Sequence, residues 1–229
     1  MSNILIEQLC ALQERIEIGL GGAGSALELI GDAVVDPGSD DLVAVADASA
    51  RLREFCRGVD RDMLLVMARH APVAGDLRLA MAIMDLAHRG GLISNQLGLI
   101  GEHLAQLEID VPDRQQSANQ VAIMSELAAR QLQSAIQAFC ARDLQAARNV
   151  ERQDDAIDRI NRQVFDAAAQ LDAPADQREL AFRIVLIARC LERIGDNAVD
   201  IAEQVGFLTT GQMLEFTDAS QPRLRSIVS

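Results

Sequence analysis

The chain has 229 residues, 49% of them hydrophobic and 24% charged, a balance typical of globular rather than disordered proteins. It contains no Trp, no Tyr and no Lys, so all 21 basic residues are Arg, which excludes a P-loop lysine, a Schiff base and a lysine general base. The formal net charge is −13, with 8 Arg against 17 acids in the first 110 residues and 13 against 17 in the remainder, so neither part carries the basic surface that nucleic acid needs.

The five prolines, at positions 37, 72, 112, 174 and 222, punctuate a pattern of helical rather than alternating apolar spacing. Helix one is predicted from about Asn3 to Val34, with Leu5, Leu9, Leu12, Ile16, Leu20, Leu27 and Ile30 on one side. Helix two runs from about Ser39 to Arg69, and helix three follows Pro72 and carries Leu79 through Leu107. Helix four spans about Ser117 to Cys140. Asp143 is the expected N-cap of helix five, and helix six starts near Asp176. A tail from about Thr209 lacks a period and is expected to be flexible. Helices of roughly 25–35 residues, against an average of about 11–12, joined by short connections, make antiparallel bundles. The chain also looks doubled, because the third helix of each half follows a proline. The expected fold is therefore all-α: two tandem three-helix bundles of six long antiparallel helices related by an internal repeat. The first covers 1–111, the second 112–208, and the tail 209–229.

Cys10, Cys56, Cys140 and Cys190 form no CxxC pair and read as free thiols in a reducing compartment. No basic segment followed by an apolar core opens the chain, and no apolar run approaches the roughly 20 residues of a membrane span, so a cytoplasmic protein is expected. Gly19-Leu20-Gly21-Gly22-Ala23-Gly24 satisfies GxGxxG but follows four helical turns instead of a strand, so it reads as a small-residue packing face. His70, His88 and His103 show no ligand repeat, and no GxSxG occurs.

Two acidic stripes remain. On helix six, Glu192, Asp196 and Asp200 recur every fourth residue, which stacks three carboxylates along one face at a cost of a few tenths of a kcal/mol per pair. On helix five, Asp154 and Asp158 share a face in the same way. Asp158 lies about 16 residues before Pro174 and Glu192 about 18 after it, so at about 1.5 Å per residue the two stripes stand at similar heights on antiparallel helices. Facing carboxylates suit a hard or intermediate cation such as Mg²⁺, Mn²⁺ or iron. The alternative is a salt-bridged surface, for which Arg152, Arg159, Arg162, Arg189 and Arg193 are all within reach. Spacing alone favours that second reading.

The residues that carry a family resemblance are Leu191-Glu192-Arg193-Ile194-Gly195-Asp196, continued by Asn197 to Glu203, together with Ala71-Pro72-Val73-Ala74-Gly75-Asp76-Leu77-Arg78 and the acidic run Asp154–Asp158. In these the chain resembles the PhoU family of phosphate-signalling proteins over roughly residues 3–208, and the all-Arg composition leans towards its actinobacterial branch. The resemblance implies tandem three-helix bundles. It also implies metal bound through Asp/Glu-xxx-Asp motifs, and so reverses the preference for a salt-bridged surface. The metal set carried over is Asp154, Asp158, Glu192, Asp196 and Asp200, holding iron, zinc, manganese or magnesium. In the first bundle the corresponding positions, counted from Pro72, are Gly91 and Asn95 on helix three, with Asp47 and Arg51 on helix two, so one metal site is expected instead of two. The resemblance further implies a non-enzymatic, cytoplasmic, homodimeric adaptor at the inner membrane face. Such an adaptor stands between a phosphate ABC transporter and a sensor histidine kinase, and keeps the phosphate-starvation response off. A phosphatase-like two-metal enzyme and a metal-free helical scaffold stand as alternatives. Ferritin-like di-iron sites use Glu-x-x-His, and no such run occurs.

Overall fold

The computed structural model describes residues 3–35, 40–107 and 114–213. Among the described residues the structure is all-α. The helices are α1 (Asn3–Glu28), α2 (Ile30–Val35), α3 (Asp40–His70), α4 (Ala74–Ala105), α5 (Arg114–Ala141), α6 (Leu144–Ala169) and α7 (Ala175–Thr210). The helices predicted second to sixth are α3 to α7. The predicted first helix is divided: at Leu29 the amide bonds to the Ala26 carbonyl three residues back, and α2 then resumes. Periodicity cannot reveal this break, because Leu27, Ile30 and Val34 continue the apolar stripe and all three are fully buried.

Helix ends follow local chemistry. The Asp143 carboxylate accepts from the amides of Gln145 and Ala146 at 2.9 and 3.0 Å, the N-cap read from sequence. Pro174 begins α7, its carbonyl accepting from the Arg178 amide, and Pro72 sits in the three-residue turn between α3 and α4. At the far end of α7, Gly211 takes the left-handed conformation (φ 77°) and its amide closes on the Phe207 carbonyl. Thr209 and Thr210, assigned to the tail from sequence, belong to α7; their hydroxyls bond back to the carbonyls of Val205 and Gly206 at 2.8 and 2.7 Å. The predicted bundle junction at 109–113 and the tail from 214 onward lie outside the described residues.

Helices α1, α3 and α4 pack together, as do α5, α6 and α7. The two groups meet where α4 lies along α7 and where α1 and α2 lie along α5. One continuous apolar core runs through both, from Ile16, Leu20 and Met63 to Phe139, Ile187 and Ile201. No helix among the described residues is long and apolar enough to cross a membrane.

A tight contact between the groups is at Gly31 on α2. A Cβ there would stand 2.6 Å from the Ala122 Cβ and 2.9 Å from its Cα on α5. By contrast, a Cβ on the exposed Gly22 of α1 would meet nothing within 4 Å. Alanine is preferred over glycine in a helix by about 0.8–1.0 kcal/mol. Gly22→Ala is therefore expected to stabilise the fold by up to about 1 kcal/mol. Gly31→Ala should destabilise it by about 1–3 kcal/mol, since backbone must give way. Urea titration followed by circular dichroism measures both; equal shifts in the two variants would contradict the packing described.

Candidate cation-binding site

The site is organised by a helix position without a side chain. Gly195 on α7 lets α6 and α5 come so near that a Cβ there would lie 2.8 Å from Gln131 Oε1, 2.9 Å from Asp154 Oδ1 and 3.3 Å from Ile157 Cδ1. The Gln131 amide is fully buried, and its Nε2 donates to Asp154 Oδ1 at 3.0 Å and to the Val150 carbonyl at 3.4 Å. Ile157 is the apolar anchor between Asp154 and Asp158, so both half-buried carboxylates stand beside the α6–α7 contact.

One turn before Gly195, Glu192 is 9% exposed. Arg189, one turn back on the same helix and itself exposed, donates to Glu192 Oε1. Glu192 Oε2 is buried with no hydrogen-bond partner. Burial pushes the Glu192 carboxyl up to about 7. Asp196 adds to this, Arg189 opposes it, and Asp158 and Asp154 push it further up. Three carboxylates, from α6 and α7, therefore act on that of Glu192. Asp196 is exposed and Asp154 and Asp158 are half-buried, so the cluster opens to solvent on one side.

Asp200 departs from the stripe read from sequence. Its carboxylate pairs with Arg89 on α4, and Arg89 Nε also lies 3.5 Å from Asp85. Burial raises the Asp200 pKa, Arg89 lowers it and Asp85 raises it. The reason is helical geometry: each step of four residues overshoots a full turn by roughly 40°, so from residue 192 to residue 200 the stripe swings by roughly 80°. Glu192 faces α6, whereas Asp200 faces α4. Among the described residues no three His, Cys, Asp or Glu side chains converge on a single point that could hold a metal ion.

The corresponding place in the first half is built differently. Asp47 and Arg51, named from counting, are both exposed. The α3 residues that meet α4 are Ser49, whose hydroxyl donates to the Ser94 carbonyl at 2.8 Å, and Arg53, whose guanidinium reaches Asn95 Oδ1 at 3.5 Å. A register two residues off turns a helical position by roughly 200°, which is why counting selected the solvent side. A Cβ on Gly91 would meet nothing within 4 Å. Asp85 and His88 have an acid-x-x-His spacing, but Asp85 faces Arg89 while His88 is exposed. The GxGxxG run lies wholly inside α1, where Gly19 packs on Phe55 and Leu52. Gln131 was not singled out from sequence. Its signal was there: an amide at a position flanked by Ala128, Leu132 and Ala135, in an otherwise apolar stripe of α5.

Residues 121–205 match the family model of the PhoU domain. They contain every carboxylate of the acidic cluster and Gln131. The likeness extends further. A Mycobacterium tuberculosis phosphate-specific transport system accessory protein, PhoU homolog 2, is 26% identical over 212 residues, covering 90% of this chain and 96% of its own. The PhoU homolog 1 of Mycobacterium leprae is 26% identical over 222 residues, covering 91% and 94%. The crystal structure of PhoU from Pseudomonas aeruginosa superposes with a TM-score of 0.79 at 24% identity, covering 90% of this chain and 99% of that one. Residues 121–205 thus match the PhoU domain, and along most of its length the chain is similar to PhoU homologs. The mycobacterial relatives agree with the actinobacterial lean of the composition, and the all-helical fold is that of the PhoU crystal structures.

The raised Glu192 pKa has a definite sign for stability. The folded protein holds a proton there up to about pH 7, whereas the unfolded chain releases it near 4.5. This contribution to stability is fully present below about pH 4.5 and is lost as pH rises through about 7. In chelator-treated buffer, Glu192→Gln is expected to melt higher than wild type at pH 8, with the difference shrinking towards pH 4.5. Melting curves across that range check it; a pH-independent difference would count against the buried carboxylate as the cause.

Proposed function

We propose that the protein is a cytoplasmic, non-enzymatic regulator of phosphate uptake. In this role it is an adaptor between a phosphate ABC transporter and a sensor histidine kinase that keeps the phosphate-starvation response off. It works as a homodimer peripheral to the inner face of the membrane. The observation that carries this reading is the chain-long likeness to proteins named as phosphate-specific transport system accessory proteins.

In the same reading the second bundle holds a divalent or trivalent cation between α6 and α7. The donor set supports this: Asp154, Asp158, Glu192 and Asp196 lie around one helix contact, they raise Glu192 together, and one Glu192 oxygen is buried without a partner. All are oxygen donors, the chemistry that magnesium, manganese and iron accept. The cation would be structural, neutralising the cluster and tying α6 to α7. Asp200 is assigned instead to the Arg89 bridge between the bundles.

A second reading, the metal-free scaffold, is favoured by one observation, the Arg189–Glu192 pair. That pair lies within a single helix and engages only one carboxylate oxygen, so it does not itself join α6 to α7. Elemental analysis of protein purified without chelator, beside Asp196→Ala, separates the two: metal in the wild type and less in the variant is expected, and equal content would remove the cation. Affinity capture from cells grown in high phosphate tests the adaptor. Recovery of phosphate-transporter and sensor-kinase subunits is the expected result, and their absence would overturn it.

A further inference from the structure

We propose that Gln131 is a ligand of the cation site, contributing from α5 a neutral amide oxygen that joins the carboxylates of α6 and α7. This inference rests on the cation reading above. Gln131 is fully buried, and its Oε1 has no hydrogen-bond partner. A buried amide oxygen left unpaired costs about 1–3 kcal/mol in desolvation, so its position needs a compensating partner. The same side chain already touches the cluster, because its Nε2 donates to Asp154 Oδ1 at 3.0 Å. Its Oε1 and Asp154 Oδ1 both point at the bare turn of Gly195, each within 3 Å of where a Cβ would stand. Glu192 begins that turn, and its buried Oε2 is the second oxygen without a partner. Gln131 Oε1 on α5 and Glu192 Oε2 on α7 are both buried without a partner, and Gln131 already holds the Asp154 carboxylate of α6, so oxygens of three helices stand on either side of the Gly195 turn.

A neutral donor is chemically suited to the place. A further carboxylate would add to the repulsion among Asp154, Asp158, Glu192 and Asp196. An amide oxygen raises the coordination number without adding charge, and amide carbonyls of Asn and Gln are ordinary ligands of hard cations. Because the ligand comes from α5, cation binding would fasten all three helices of the second bundle instead of two. The absence of any three-acid convergence among the described residues is consistent with a set that an acid-only pattern cannot complete.

The experiment is a calorimetric titration of chelator-stripped full-length protein with Mn²⁺, for wild type, Gln131→Leu, Gln131→Glu and Asp196→Ala. Gln131→Leu is expected to bind at least about 10-fold more weakly than wild type, the lower end of the loss typical when a group supporting a metal site is removed. Gln131→Glu keeps an oxygen at the site but loses the N–H given to Asp154. It should bind at least as tightly as wild type if the oxygen is the ligand. Equal affinity in wild type and Gln131→Leu would overturn the proposal. So would a Gln131→Glu variant as weak as the leucine variant, since Gln131 would then act only by orienting Asp154. If the leucine variant does not fold by circular dichroism, the glutamate variant decides alone: binding at least as tight as wild type supports the ligand role, and binding about 10-fold or more weaker overturns it. Wild type that fails to bind Mn²⁺, no differently from Asp196→Ala, would sink the cation reading itself and the ligand role with it.

Discussion

The second bundle depends on the close contact of α6 and α7 at Gly195. A helix crossing that lacks one Cβ brings buried oxygen atoms of two neighbouring helices to within about a van der Waals contact of bare backbone. An apolar crossing of this kind would need no further explanation. Here the contact holds Asp154 and Gln131, with Glu192 one turn away and an oxygen of Glu192 sealed from water. Burial of like charge is costly, and the fold meets that cost in several ways: a raised pKa at Glu192, an amide on Asp154, and an arginine on the exposed side of Glu192.

The two halves of the chain solve related packing problems with different side chains. Between α3 and α4 the contact is polar but not acidic. Ser49 bonds backbone, and Arg53 reaches Asn95 where the second half has acids facing acids. Between the halves, Arg89 lies between Asp85 and Asp200. With no lysine in the chain, every such role falls to a planar guanidinium able to engage two carboxylates at once. The half-buried position of this bridge on the α4–α7 interface makes it a specifier of how the halves meet more than a source of stability.

The architecture was legible because its signals are local. Pro72 and Pro174 mark helix starts, Asp143 caps α6 as its position before Leu144 suggested, and the 3.6-residue period of the apolar residues survives over every long helix. The acidic residues on α6 and α7 were legible too, since i, i+4 spacing keeps neighbours on one face for one step. What failed did so where a local rule was carried too far. The stripe was extended to Asp200 although the helix had by then turned it towards α4. The first-bundle positions were counted to Asp47 and Arg51 when Ser49 and Arg53 face the neighbour. The division at Leu29 was invisible because the apolar stripe runs straight through it.

The fold class, the helix starts at Pro72, Asp143 and Pro174 and the family resemblance are legible in the chain itself, because helical periodicity, capping and proline positions are properties of neighbouring residues. Only the tertiary structure decided which side chains share a site. Gln131 comes from a helix more than twenty residues before Asp154 and sixty before Glu192. It meets them because three helices pack at one height and because Gly195 leaves the space. Which residues face one another across helices depends on the accumulated turn of each helix and on the distance at which they pack. Neither quantity is written in the spacing of residues along the chain.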